Sequence, residues 1–206
     1  VENVSPEPAM YEFTVSDKEY FSDALFIGDS RTVGLQLYGS LDNADYFAAP
    51  GLSLYSIGRT RVTVGEFSNI TLSELLEKKD YGKIYLMLGI NELGYDFEKT
   101  LMKYHELVTL LRTKEAQAIL YVCANLHVTA VRHEHDEVHN NDNINRMNAQ
   151  IALLEDKKNI FYLDVNEIFD DAEGNLKEEY ASDDSHIESI CYTNWCDWLQ
   201  NHTIIK

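Results

Sequence analysis

The stretch ALFIGDSRTVGL, residues 24–35, joins a short apolar run to a Gly-Asp-Ser turn and then to a helical sequence. An apolar run of this length that ends at a turn is typical of a buried strand. Because Asp and Ser both cap helices, the turn predicts a strand ending at Gly28 and a helix beginning near Arg31. Ser30 at this position is either a capping residue or a hydroxyl exposed for chemistry.

The same alternation of strands and helices continues along the chain. Thr71 with Glu74 forms a predicted capping box for a helix, and Asp96 is a predicted N-cap for a long amphipathic helix. Further strands are predicted at 44–49, 83–89, 117–126 and 159–165, a small hairpin at 61–71, and further helices from Ile144 and from about Glu188. Continuous apolar strands that alternate with helices indicate an α/β domain, residues 21–206, whose parallel sheet of about five strands is covered by helices on both faces.

Composition excludes several classes of partner. The 17 basic and 35 acidic residues give a formal charge of −18, which repels nucleic-acid phosphates and anionic membranes. No apolar run approaches the roughly 18 residues that span a bilayer.

Residues 1–20 open with prolines and glutamates and are predicted to be a linker. A chain trimmed behind a signal peptide or lipid anchor would begin in this way, so we expect an exported protein.

The three cysteines and a His-rich segment are the candidate metal ligands of this sequence. Cys123, Cys191 and Cys196 are too few and too scattered for a disulfide framework or a zinc site, and we expect them to be packing residues. The segment HVTAVRHEHDEVHNNDN, residues 127–143, contains His-x-His spacing that can bind a divalent metal. Its position between a strand and a helix instead favours a long polar loop that forms a wall beside the functional site. We expect no metal and no cofactor.

The polar residues that follow the predicted strands define a candidate site, since ligands of such sheets bind at the carboxyl ends of the strands. Ser30 follows the first strand, Gly51 the second and Asn91 the third. Asp183 and His186 lie three residues apart just before the last helix. A serine needs a base to become a nucleophile, and a histidine oriented by a carboxylate is such a base. Backbone N–H groups and an amide side chain can stabilise an oxyanion, so this set of residues fits acyl transfer.

The chain resembles the SGNH, or GDSL-type, hydrolases. Four blocks carry the resemblance in the family's order: GDSR at 28–31, PGLS around Gly51, GINE at 89–92 and DDSH at 183–186. The resemblance implies a three-layer, flavodoxin-like fold and a serine esterase or lipase activity. It also implies that Ser30 is the nucleophile, His186 the base and Asp183 its support, with an oxyanion hole formed by Ser30, Gly51 and Asn91.

The motifs depart from the family pattern at two residues. Arg31 stands where leucine is usual, and Glu92 stands where aspartate is usual. These two residues, together with Tyr55 and Tyr95 near the same rim, are the candidate substrate contacts, and Arg31 would place a positive charge near the substrate's exit. For the tyrosines, packing is the competing interpretation.

Three functions fit this sequence. The first is an esterase that removes a small acyl group, acetyl above all, from a carbohydrate or another alcohol. The second is an acyltransferase that passes the acyl group from the same serine to a sugar hydroxyl. The third is a non-catalytic binding module on this scaffold. The sequence leaves the acyl length, the alcohol and the oligomeric state open.

Overall fold

The fold is described from a computed structural model, which covers residues 11–206. The first half of the predicted linker, residues 1–10, lies outside the described residues. Its second half contacts the domain: Thr14 forms an antiparallel bridge with Thr203, and the Tyr20 hydroxyl donates to the Ile204 carbonyl at 2.8 Å. A short 3-10 helix, Lys18–Phe21, leads into the first strand.

A five-stranded parallel sheet forms the centre of the molecule. The strands are β1 (Ala24–Gly28), β2 (Asp45–Ala48), β5 (Lys83–Met87), β6 (Ile119–Cys123) and β7 (Ile160–Leu163). Their order across the sheet is β2-β1-β5-β6-β7, and every neighbouring pair is parallel. The predicted hairpin is also present, as β3 (Val62–Val64) and β4 (Phe67–Ile70), which pair antiparallel in a sheet of their own.

Helices cover both faces of the sheet, which confirms the predicted three-layer α/β fold. One hydrophobic core packs the sheet against α1 (Ser30–Tyr38) and α7 (Cys191–Gln200). The other core packs the opposite face against α2 (Leu72–Leu75), α3 (Phe97–Lys114) and α5 (Asn141–Ala152). Two short helices, α4 (Ala130–His135) and α6 (Asn166–Phe169), follow β6 and β7.

An aromatic ladder crosses all five strands on the α1 and α7 face. In-register pairing aligns one aromatic residue from each strand, namely Tyr46, Phe26, Tyr85, Tyr121 and Phe161. The rings of Phe26, Tyr85 and Tyr121 are stacked, with 4.4 Å between neighbouring centroids. Aromatic cross-strand pairs stabilise a sheet beyond the area that they bury, so the ladder fixes the register of the strands that carry the candidate site.

Segment 127–143 differs from its prediction as a long polar loop, because it contains α4 and the first turn of α5. Thr129 caps α4 with its side chain, and Asn140 caps α5. No residue of α4 is buried, so the apolar periodicity that reveals a helix in a sequence is absent there. At the other end of the domain, α7 begins at Cys191 rather than near Glu188.

Candidate active site

Ser30 lies at the point where the strand order reverses. The chain passes from β1 outward to β2 and then returns to β5 on the other side of β1, so the carboxyl ends of β1 and β5 flank a topological switch point. Asp29 accepts a hydrogen bond from the Arg31 N–H at 3.0 Å and caps α1, and Ser30 is the first residue of that helix. A Cβ at Gly28 would lie 1.9 Å from Thr32 Oγ1, so glycine is needed for this tight passage from strand to helix.

Ser30, His186 and Asp183 form one hydrogen-bonded chain. The Ser30 Oγ lies 2.9 Å from His186 Nε2, and His186 Nδ1 lies 2.9 Å from Asp183 Oδ2. Because a carboxylate can only accept, Nδ1 carries the proton and Nε2 is left to accept from the serine hydroxyl. These are the contacts that a histidine base needs both to be oriented and to activate a serine.

The loop that carries Asp183 and His186 is closed by its own backbone. Ala181 and Ile187 form an antiparallel bridge, and the Ser182 N–H donates to the His186 carbonyl at 2.8 Å. Partial burial alone would raise the pKa of Asp183. The hydrogen bonds from the His186 ring and from the Ser185 and His186 N–H groups outweigh it and hold this pKa below its usual value. Asp183 is therefore ionised at neutral pH, as the partner of a histidine base must be.

Asn91 holds the loop that contains Gly51. Gly51 follows β2 with a φ of 69°, a left-handed conformation that favours glycine. Asn91 Nδ2 donates to the Leu52 carbonyl at 3.0 Å and to Asp29 Oδ2 at 3.3 Å. Both amide hydrogens thus face protein oxygens, and Asn91 would have to release one of them to bind an oxyanion. The described contacts place Asn91 between the Gly51 loop and the cap of α1.

Asp29 is buried beneath the site and is completely inaccessible. Burial raises the pKa of this carboxyl, against the opposing attraction of Arg31, the hydrogen bond from the Arg31 N–H and the attraction of His186. Through its contacts with the Arg31 N–H and the Asn91 amide, Asp29 braces the turn, and it lies outside the Ser30–His186–Asp183 chain.

The four candidate substrate contacts have different surroundings. Glu92 is buried, accepts a hydrogen bond from the Leu54 N–H and lines neither of the clefts at Ser30. Tyr55 and Tyr95 stack on each other with 5.0 Å between centroids and line neither of the clefts at Ser30. Arg31 is also buried, but it lies against one of those clefts.

Two clefts meet at Ser30 and His186. The small cleft, about 170 Å³, extends toward Asn91 and α4. The wide cleft, about 390 Å³, extends along α1 toward the start of α7. The small cleft is lined by Ser30, Arg31, Ile90, Asn91, Val128, Arg132, His139, Asp183, Ser185 and His186. Leu37, Tyr38 and Tyr192 form the apolar wall of the wide cleft. Arg132 and His139 belong to segment 127–143, which the sequence predicts as a wall beside the site. Tyr192 was not predicted, because its position becomes visible only once α7 is docked.

The His-rich segment supplies one wall of the small cleft and is held by hydrogen bonds. His127 Nδ1 lies 2.6 Å from Asp170 Oδ2 and its Nε2 lies 2.9 Å from Asn145 Oδ1, while His139 faces Asp136. Burial would lower the pKa of His127, but its hydrogen bond and charge interaction with Asp170 outweigh burial and raise it. Among residues 11–206, no three His, Cys, Asp or Glu side chains converge so as to hold a metal ion.

The fold and the site together define a class, that of α/β ester hydrolases with a serine at the switch point of the sheet. Within this class, the chain belongs to the GDSL-like lipase/acylhydrolase family, whose sequence pattern it matches over residues 26–192. The resemblance noted from the four motif blocks is thereby confirmed. A comparison with curated proteins gives no significant match.

Solved structures of similar fold include other esterases. A GDSL-like lipase from Bacteroides thetaiotaomicron has a TM-score of 0.63 at 14% identity, covering 84% of this chain and 83% of that one. A mutant acetyl-xylooligosaccharide esterase from Geobacillus has a TM-score of 0.56 at 13% identity, covering 86% and 92%. A family two carbohydrate esterase from Clostridium thermocellum, in complex with cellohexaose, has a TM-score of 0.55 at 13% identity, covering 96% and 64%.

Within the described residues, no helix combines the length and the apolar character that crossing a bilayer requires.

Proposed function

We propose that this protein removes a small acyl group, acetyl above all, from the hydroxyl of a carbohydrate or a similar alcohol. The observation that carries the proposal is the hydrogen-bonded chain from Ser30 Oγ to His186 Nε2 and from His186 Nδ1 to Asp183. The two structural neighbours described as an acetyl-xylooligosaccharide esterase and a carbohydrate esterase support the choice of substrate class.

The proposed reaction has two halves. His186 Nε2 takes the Ser30 proton as Oγ attacks the ester carbonyl, and it then gives that proton to the departing alcohol, which leaves an acyl-serine. Water next attacks the acyl carbon while His186 accepts its proton, and the carboxylic acid leaves as the Ser30 oxygen is protonated again. The N–H groups of Ser30 and Gly51, with the Asn91 amide, are the proposed donors to the oxyanion in both halves.

The clefts support a small acyl group and a larger alcohol. The small cleft, about 170 Å³, suits a short acyl chain, and the wide cleft, about 390 Å³, suits a larger alcohol. Tyr38 and Tyr192, with 5.9 Å between ring centroids, give the wide cleft aromatic surface against which a sugar ring can pack. The side chain of His186 is 36% exposed and that of Asp183 is 60% exposed. Such an open site admits water as the acceptor, as hydrolysis requires.

A fluorophosphonate probe tests the proposed nucleophile directly. We expect stoichiometric labelling that disappears in Ser30→Ala and persists in Ser22→Ala, a matched control on an exposed turn. Hydrolysis of 4-nitrophenyl acetate should be lost in Ser30→Ala while thermal stability is retained. An unlabelled wild-type protein would contradict the proposal, and faster turnover of long-chain than of acetyl esters would contradict the choice of acyl group.

A further inference from the structure

Arg31 is a buried cation without an ion-pair partner. Only 4% of its surface is exposed, and no carboxylate of the described residues lies within ion-pair distance of its guanidinium. Its one side-chain hydrogen bond in the described part of the protein runs from Nη2 to the Ser185 carbonyl at 3.0 Å, and its Nε has no partner. Asp29 attracts this guanidinium from beyond ion-pair distance. Buried guanidinium groups are normally paired directly, because a buried charge without a contacting partner is strongly unfavourable.

A second arginine faces the small cleft from α4. Arg132 Nη1 donates to Ser185 Oγ at 2.7 Å and Nη2 donates to Asp136 at 3.0 Å, while its Nε is buried without a partner among residues 11–206. Both arginines therefore hold Ser185, one through its carbonyl and one through its hydroxyl. The cleft at Ser30 thus has two guanidinium groups with unused donors, in a chain whose formal charge is −18.

The acidic groups nearby are already engaged. Asp136 pairs with Arg132 and with His139, which also lines the small cleft. Asp183 accepts from the His186 ring and from two backbone N–H groups. Asp29 accepts from the Arg31 N–H and from the Asn91 amide. Asp29 attracts Arg31, but among the described residues none of these three carboxylates accepts a hydrogen bond from the Arg31 side chain, so the guanidinium keeps donors free for an anion that enters the cleft.

We propose that the small cleft binds a carboxylate of the substrate, so that the preferred ester carries a carboxylate close to the scissile bond. A planar carboxylate matches the guanidinium fork, and such charge-assisted hydrogen bonds are the strong ones. The proposal rests on the proposed function, because the anion site is defined by its position beside Ser30 and His186. It adds the class of ester that this chain selects among all small acyl esters.

Matched pairs of anionic and neutral esters distinguish recognition of a carboxylate from ester hydrolysis in general. The first pair is 4-acetoxybenzoate and its neutral methyl ester, in which the carboxylate belongs to the alcohol part. The second pair is mono-4-nitrophenyl succinate and its methyl ester, in which the carboxylate belongs to the acyl part. We expect kcat/KM for the anionic member of one pair to exceed that for its neutral partner by about tenfold or more. A preference in the second pair places the acyl part in the small cleft, as in the proposed function, and a preference in the first pair places the alcohol part there instead.

Variants of the two arginines separate binding from positioning. Arg31→Gln should reduce the anionic-to-neutral ratio about tenfold, to near one, whereas a merely structural role would slow both esters equally and leave the ratio unchanged. Arg132→Gln, on the more exposed side of the cleft, should lower the same ratio and serves if Arg31→Gln does not fold. Arg61→Gln is the matched control, because Arg61 pairs with Glu74 on the surface.

Two results would overturn the carboxylate site. One is a wild-type ratio near one for both pairs while the neutral esters are hydrolysed, an outcome that leaves the proposed function intact. The other is the absence of 4-hydroxybenzoate binding. It is measured by calorimetry on the wild-type protein if no ester is turned over and the proposed function fails. Saturable binding that Arg31→Gln weakens about tenfold supports the site, and absence of saturable binding overturns it.

Discussion

Glu92→Gln is expected to stabilise the protein, and increasingly so as the pH rises. Glu92 is only 2% exposed, and its Oε1 accepts from the Leu54 N–H while its Oε2 has no partner in the described part of the chain. Burial, reinforced by the charge of Asp29, raises the pKa of this carboxyl from 4.5 to about 7, although the hydrogen bond from Leu54 opposes the shift. The folded protein therefore favours the protonated form of Glu92.

The sign and size of the effect follow from proton linkage. Between pH 4.5 and about 7 the folded state keeps a proton on Glu92 that the unfolded state has lost, so stability falls as the pH rises through this window and levels off above it. At about 1.4 kcal/mol per pH unit, the fall amounts to about 3 kcal/mol. Glutamine keeps an oxygen that can accept from Leu54 and stays neutral throughout, so Glu92→Gln should avoid the fall.

Urea unfolding followed by circular dichroism measures this difference directly. We expect similar free energies of unfolding for the wild type and Glu92→Gln near pH 4.5, and a gap of about 3 kcal/mol in favour of the variant near pH 8. Glu66→Gln, on the exposed turn between β3 and β4, is the matched control and should follow the wild type. Parallel stability curves for the wild type and Glu92→Gln from pH 4.5 to 8 would refute the reasoning.

Four further outcomes are expected. Asn91→Ala should lower kcat on the order of 10²–10³, the usual loss for one oxyanion donor, and unchanged kcat would remove Asn91 from that role. Asp183→Asn should lower kcat by up to about 10⁴ while the acetyl ester still binds, which steady-state kinetics would show. His127→Gln should destabilise the fold most below pH 6.5, the usual pKa of histidine. The pKa of His127 is raised in the folded protein, so the loss of stability in the variant should shrink as the pH rises through that pKa. Thermal melts at a series of pH values would measure this. Exhaustive chelation with metal analysis should leave ester hydrolysis unchanged, and loss of activity that Zn²⁺ or Mg²⁺ restores would contradict this.

Elements with a strong local signal were predicted from the sequence. The strand at 24–28 matches β1, and the Thr71–Glu74 capping box is present with both of its hydrogen bonds. The spacing of Asp183 and His186 was also informative, because residues three apart in one tight loop bring a carboxylate next to an imidazole without help from distant elements. Periodicity, caps and short-range spacing are local properties, and a single sequence records them.

Burial of charged residues could not be predicted in the same way. Arg31 and Glu92 follow strand ends in polar stretches, where a charged side chain is normally solvated. Arg31 is buried because α1 and the 183–186 loop enclose it, and Glu92 is buried because the loop at Leu54 folds over it. Both contacts join residues far apart in the chain. The sequence predicts Glu92, Tyr55 and Tyr95 as substrate contacts, but none of them lines a cleft at Ser30. Proximity to a strand end in the sequence does not determine the direction of a side chain.

The first turn of α1 fixes both the nucleophile and the loop that carries the base. Ser30 contacts the His186 ring, and the next residue, Arg31, donates to the carbonyl of Ser185, the residue before His186. Any displacement of the 183–186 loop from α1 must therefore lengthen both hydrogen bonds together. Arg132 ties the same loop to α4 through the Ser185 hydroxyl, so a segment without regular secondary structure is held from two helices. The proposed anion site shares these two arginines with the 183–186 loop, so substrate recognition and the alignment of Ser30 and His186 depend on the same side chains.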